Sequence, residues 1–137
     1  MSSRRVEVFF YGLFMDPVLL ESKGLSPQNS EIASVSGLAL RIGQRAALVA
    51  DERGKVYGIV TSLTLDEVEQ LYSDPTVQAY RPQAVLARLA SGGQVAALCY
   101  NLREPPLPSE RSPDYAAKLR VVAEKVGLPK DYVETLK

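Results

Sequence analysis

Tyr11-Gly12-Leu13-Phe14-Met15-Asp16-Pro17 is the segment of this chain best suited to chemistry. The residues before it, Val6-Glu7-Val8-Phe9-Phe10, are mostly β-branched or aromatic, which is the pattern of a buried strand. The run breaks at Gly12, the residue type that tolerates φ > 0 and close backbone approach. Asp16 suits an N-cap and Pro17 the first helical position. A strand that turns at glycine into a helix start leaves several N–H groups without backbone acceptors at one place. Such a place can hold a carboxylate or a developing oxyanion. The same spacing more often marks an ordinary strand–turn–helix joint.

The side chains available for proton transfer are few. The chain has no histidine and one cysteine. A Ser-His-Asp triad, a Cys-His pair, a histidine metal site and a thiolate zinc site are therefore excluded. No metal site and no cofactor is expected. A general base would have to be Asp, Glu, Lys or Tyr with a tuned pKa, and a carboxylate is the first place to look. Cys99 lies in an apolar run and reads as a small buried hydrophobe.

Composition sets the frame for these residues. A length of 137 residues points to one domain over 1–137, large enough for a real core. Hydrophobic residues make up 46%, which argues against disorder. The 16 basic and 16 acidic residues cancel, so nothing draws the chain to nucleic acid or to an anionic membrane. No run has the length of a transmembrane helix, and Met1-Ser2-Ser3-Arg4-Arg5 leads into a strand rather than forming a signal peptide. A cytoplasmic protein is the expectation, with its oligomeric state open.

The elements that must position the chemistry follow from periodicity. A short helix is expected over about 16–22, then a loop over 24–30. Residues 34–43 partly alternate and read as a strand, and 45–50 as a shorter one. Asp51-Glu52-Arg53-Gly54 reads as a hairpin-like turn. Residues 56–63 form a further strand, with Gly58 marking a bulge or a close contact. Thr64-Leu65-Asp66-Glu67 is a capping box, opening a helix to about Ser73. Asp74-Pro75-Thr76 ends it. Residues 80–89 and 95–101 are strands around the turn Ser91-Gly92-Gly93. After a proline-rich loop over 104–110, Ser112-Pro113 caps a helix with Tyr115, Leu119, Val122 and Val126 on one face. Gly127 ends that helix and Pro129 opens a last short one. The sum is α+β, a curved and mainly antiparallel sheet of a kind that can close into a small barrel.

With these residues laid out, the chain resembles the gamma-glutamylcyclotransferase-like family, which includes the AIG2-like and BtrG-like proteins. Tyr11-Gly12-Leu13-Phe14-Met15 is similar to the family's opening Tyr-Gly-Thr/Ser-Leu-Met motif. Val56-Tyr57-Gly58-Ile59-Val60, with Leu63-Thr64 and Leu71, is similar to its middle strand and helix. Ser112-Pro113-Asp114-Tyr115 and Gly127-Leu128-Pro129-Lys130-Asp131-Tyr132 are similar to its C-terminal helix and ending. The resemblance implies a small mixed β-barrel with flanking helices. It implies a cofactor-free reaction in which the α-amino group of a γ-glutamyl compound attacks its own γ-carbonyl, giving 5-oxoproline and a free amine. It also implies that the Tyr-Gly backbone holds the glutamyl part, and that a glutamate after the middle helix is the acid/base.

Two departures from the family pattern bear on activity. Leu13 stands where the family has Thr or Ser, which removes a side-chain donor. If Leu71 and Tyr80 are matched to the family pattern without gaps, Pro75 stands at the position of the acid/base glutamate. The candidate site is then Tyr11, Gly12, Leu13 and Phe14, with Tyr80 and Tyr100 as further ligand contacts and Asp74 as a displaced acid/base. Each has a plainer reading: Asp74 as an Asp-Pro turn former, the tyrosines as packing residues. Glu69, Glu104 and Glu110 are more distant candidates, read first as solvated charges. Two functions stay open. One is a cyclotransferase acting on a γ-glutamyl compound. The other is an inactive relative that binds a small polar ligand, or a partner, through the same pocket.

Overall fold

The computed structural model describes residues 4–136. The lead-in Met1-Ser2-Ser3, read above as no signal peptide, lies outside them. Five strands form the frame: β1 (Arg5–Phe10), β2 (Gln28–Ile42), β3 (Ala46–Thr64), β4 (Tyr80–Leu89) and β5 (Gln94–Leu102). Four helices flank it: α1 (Pro17–Ser22), α2 (Leu65–Leu71), α3 (Pro113–Val126) and α4 (Lys130–Glu134). The strands close into a barrel in the order β1-β3-β2-β4-β5. The β1–β5 pair is parallel, and the pairs β1–β3, β2–β3, β2–β4 and β4–β5 are antiparallel. The sheet is thus mixed and mainly antiparallel, as both the hairpin pattern and the resemblance implied.

Strand alternation divides the core in two. Phe9 and Tyr11 of β1 and its end face one way, into the barrel, with Val35, Val56, Val60, Val85 and Cys99. Small residues, among them Ala33, Ala87 and Ala97, complete that interior, which a five-stranded barrel requires. Val8 and Phe10 face the other way and pack with Leu63 against Leu20 of α1, Val68 and Leu71 of α2, and Leu119 and Ala123 of α3. The stripe read on α3 lies on this contact face, with Leu119 buried and Tyr115, Val122 and Val126 packed beside it.

The expected hairpin at residues 51–54 is not one. β3 runs through it without reversing, paired to β2 on both sides. Ser36 pairs with Lys55 and Leu38 with Ala50, so the single residue Gly37 opposes four. The turn chemistry is present, since Asp51 Oδ1 accepts from the Arg53 N–H at 3.0 Å. It makes a bulge because the residues on either side keep the same partner strand. The reversal between β2 and β3 lies at Gly43-Gln44-Arg45 instead, where Gly43 N donates to Arg45 O at 3.0 Å.

Candidate ligand-binding site

At the C-terminal end of β1 the chain leaves the barrel and makes a single 3-10 turn, Leu13–Met15, closed by Met15 N donating to Gly12 O at 3.1 Å. Asp16 then caps α1, its Oδ1 accepting from Val18 N at 3.0 Å, with Pro17 at the first helical position. Gly12 has φ −115°, so no left-handed backbone demands glycine here. Space does: a Cβ on Gly12 would lie 2.9 Å from the Tyr115 hydroxyl of α3. Close approach, not positive φ, is the reason for this residue.

The turn borders a cavity of about 340 Å³. Tyr11, Gly12, Leu13 and Phe14 line one side, Tyr80 and Tyr100 another, so six of the residues singled out in the sequence meet there. Tyr72 at the end of α2 and Tyr115 of α3 complete an aromatic lining. Tyr72 and Tyr100 stack with centroids 3.9 Å apart and planes 10° apart, and Phe14 meets Tyr72 edge-on at 5.9 Å. Two cations also line the cavity, Lys23 after α1 and Arg45 in the β2–β3 reversal, together with Gln44.

The phenols are neutral donors or acceptors, not bases. Burial pushes the Tyr80 phenol up to about 12, against a smaller opposing pull from Arg45. Burial likewise raises Tyr11, Tyr72, Tyr100 and Tyr115. Tyr11 donates to Tyr100 O at 2.8 Å and Tyr80 donates to Ala46 O, so both hydroxyl protons are engaged by backbone. Burial also pushes the Cys99 thiol up to about 12, and the residue is fully covered inside the barrel. It is a packing residue, not a nucleophile.

Asp74 is placed differently. It does not line the cavity; it borders a shallow groove with Pro75, Ser73 and Lys23. Its Oδ1 accepts from Thr76 N at 2.9 Å and Thr76 Oγ1 at 2.7 Å, the turn-forming role. These bonds, the backbone one first, hold its pKa below the ordinary carboxylate value, with a further contribution from Lys23 at 4.0 Å. Glu69 and Glu104 are exposed and Glu110 accepts from Leu107 N at 3.3 Å; none of the three lines the cavity.

Sequence reasoning did not single out Lys23, Arg45 or Tyr72 as cavity residues. Tyr72 carried a signal, as the aromatic at the end of the capped helix. Lys23 and Arg45 carried none, because a cation in a loop has the same sequence pattern whether it faces water or a ligand.

Neither a protein-family model nor a curated protein sequence matches this chain. Solved structures do. A gamma-glutamyl cyclotransferase superposes with a TM-score of 0.80 at 18% identity, covering 97% of this chain and 86% of its own. An uncharacterized protein from Homo sapiens gives 0.79 at 19% identity, covering 96% and 86%. YkqA from Bacillus subtilis gives 0.80 at 20% identity, covering 98% of this chain but 53% of its own. The fold is that of gamma-glutamyl cyclotransferase. Identities this low establish the architecture, and what the cyclotransferase-fold cavity does is decided by its own residues.

Proposed function

We propose that this chain is a binding protein of cyclotransferase fold, taking a small carboxylate-bearing ligand in the cavity between Tyr11 and Tyr100, and that it does not cyclise γ-glutamyl compounds. The observation that carries this reading is the lining itself. Among the described residues it holds Lys23, Arg45 and Gln44 and the turn at Gly12–Phe14, and it holds no Asp or Glu. Cations favour a carboxylate. Cyclisation needs more, because the substrate's ammonium must lose a proton before it can attack. Raised phenols cannot take that proton at neutral pH. General acid/base catalysis contributes about two to four powers of ten, so its loss leaves at most residual turnover.

A displaced-base reading has one observation in its favour. Thr76 and Val77 line the cavity, so Asp74 is two residues from the rim. To act there, its carboxylate would have to leave both Thr76 bonds, and its lowered pKa makes it a weak base. One experiment separates the readings. The protein is titrated with 5-oxoproline and a panel of γ-glutamyl compounds, and 5-oxoproline formation is measured directly. Saturable binding without product formation is expected. Turnover that Asp74→Asn abolishes would overturn the binding-protein reading and establish a cyclotransferase with its base at Asp74.

A further inference from the structure

A carboxylate accounts for only part of what the cavity offers. We propose that its ligand is an aromatic carboxylic acid that carries no ammonium group, with the carboxylate on Arg45 and the ring against the aromatic lining. This rests on the binding reading above and names the class of ligand.

Arg45 is the anchor for three reasons. It lines the cavity, and among the described residues it forms no ion pair with a protein carboxylate. Its planar guanidinium can take both oxygens of a carboxylate at once. Lys23 is less available, because its ammonium lies 4.0 Å from Asp74 and 6.0 Å from the centroid of Phe14. Lys23 adds positive field; Arg45 supplies the fork.

The exclusion of ammonium follows from what an α-amino group would meet. Among the described residues neither Asp nor Glu lines the cavity, while two cations do. Like charges repel in a partly desolvated site, and an ammonium without a counter-ion loses its hydration uncompensated. The lining offers an ammonium only neutral partners, ring faces and oxygens such as those of Gln44 and Thr76, and none of them supplies the negative charge that would offset two cations. Part of the aromatic surface is also taken: Tyr72 and Tyr100 each cover one face of the other at 3.9 Å, and Lys23 lies over Phe14.

The ring follows from shape and polarity. Tyr11 and Tyr80 send their hydroxyl protons to backbone carbonyls, so they present ring surface rather than donors. Phe10, Phe14, Tyr72 and Tyr80 continue in edge and tilted contacts, with centroids 5.9 to 6.4 Å apart. A flat ligand ring can join such an array by an edge or offset contact. At about 340 Å³ the cavity is at the small end for ligand sites, room for one ring and a short acid chain.

A matched set tests this: 3-phenylpropionate, phenylalanine and 2-phenylethylamine share a ring and differ in carboxylate and ammonium. Binding to the full chain is measured by calorimetry and by saturation-transfer NMR, beside 5-oxoproline and a γ-glutamyl dipeptide. We expect 3-phenylpropionate to bind at least about tenfold tighter than phenylalanine, and 2-phenylethylamine not to bind. Arg45→Gln, at an exposed position, should weaken 3-phenylpropionate by about tenfold or more and leave the melting temperature of the free protein unchanged. Equal or tighter binding of phenylalanine overturns the proposal, as does undiminished affinity in Arg45→Gln. If 5-oxoproline or the γ-glutamyl dipeptide binds and 3-phenylpropionate does not, the aromatic class falls while the carboxylate-binding reading stands. If no carboxylate binds, both fall.

Discussion

Residues 9–14 and the stretch 72–80, through Tyr72, Thr76, Val77 and Tyr80, contribute to the same cavity and are held in place by different means. The first wall continues a central strand. β1 is paired on both sides, Phe9 is 1% exposed, and the Tyr11 hydroxyl is tied to Tyr100 O on the neighbouring strand β5. The second wall is a connection between α2 and β4. Tyr72 and Tyr80 anchor its ends on Tyr100 and Ala46, and short-range bonds hold its middle: Thr76 N and Oγ1 to Asp74 Oδ1, Val77 N to Asp74 O at 2.9 Å, and Gln78 Nε2 to Ser73 O at 2.9 Å. A wall fixed by the core can position a ligand without further help. A wall fixed by local turns can change its residues at little cost to folding. Pro75 lies in the locally held middle of that connection, in the groove beside the cavity and not in its lining.

The largest test of this contrast lies behind the first wall. A Cβ on Gly58 would overlap the Phe10 carbonyl oxygen and lie 2.9 Å from the Phe9 ring, so neither backbone nor core can yield cheaply. Gly58→Ala should cost about 3 kcal/mol by forcing β1 and β3 apart. Urea denaturation measures it, and a loss under ~1 kcal/mol would mean the first wall is softer than its pairing suggests.

Next in size is Gly12→Val, in the cavity itself. The branched side chain must displace the Tyr115 hydroxyl, at a cost of roughly 1–3 kcal/mol. Carboxylate binding should fall with it. Leu13→Thr is the control, since it leaves the backbone alone and restores only a hydroxyl. If both variants bind equally well, the turn at Gly12 is a joint and nothing more.

How far the sequence revealed these walls depends on how local their causes are. The capping box at Thr64 could be read directly, and both of its bonds form: Thr64 N to Glu67 Oε1 at 2.8 Å and Glu67 N to Thr64 Oγ1 at 3.1 Å. So could the αL end of α3 at Gly127, with φ +88°, and the Asp16 cap. The bulge at residues 51–54 could not, because its turn residues are those of a hairpin and only pairing with β2 decides between them. The cavity's tyrosines had helix or strand periodicity that fits packing equally well. Arg45 became a cavity residue only through barrel closure, a non-local event with no imprint within its own segment.

Thr64→Ala should come third. Loss of the cap costs about 1 kcal/mol. Burial alone would raise the Glu67 pKa, but hydrogen bonds from Thr64 and Ser26 outweigh it and hold the carboxyl below its ordinary value. This variant loosens α2 at the end away from the cavity, so ligand affinity should stay within about twofold. A larger loss would show that the second wall depends on α2 as the first depends on β1.

The smallest effect is expected at Asp74, and its sign is informative. The Thr76 bonds lower the folded-state pKa, so their stabilisation is fully present above the unfolded value of about 3.9 and is lost as pH falls through the folded value. The difference in melting temperature between wild type and Asp74→Asn should therefore be constant from neutral pH down to about pH 5 and vanish in stronger acid. The carboxylate is exposed to solvent, so that difference should be slight. Ligand binding should move the opposite way. Asp74→Asn leaves an uncharged amide that no longer pairs with Lys23, and the freed ammonium should tighten a carboxylate ligand by no more than about threefold, less at high salt. The titration should also be flat between about pH 6 and 9, since histidine is absent and both Tyr80 and Cys99 are pushed up to about 12. A bell-shaped profile, or weaker binding in Asp74→Asn, would place the Asp74 carboxylate on the ligand and make the second wall part of the chemistry after all.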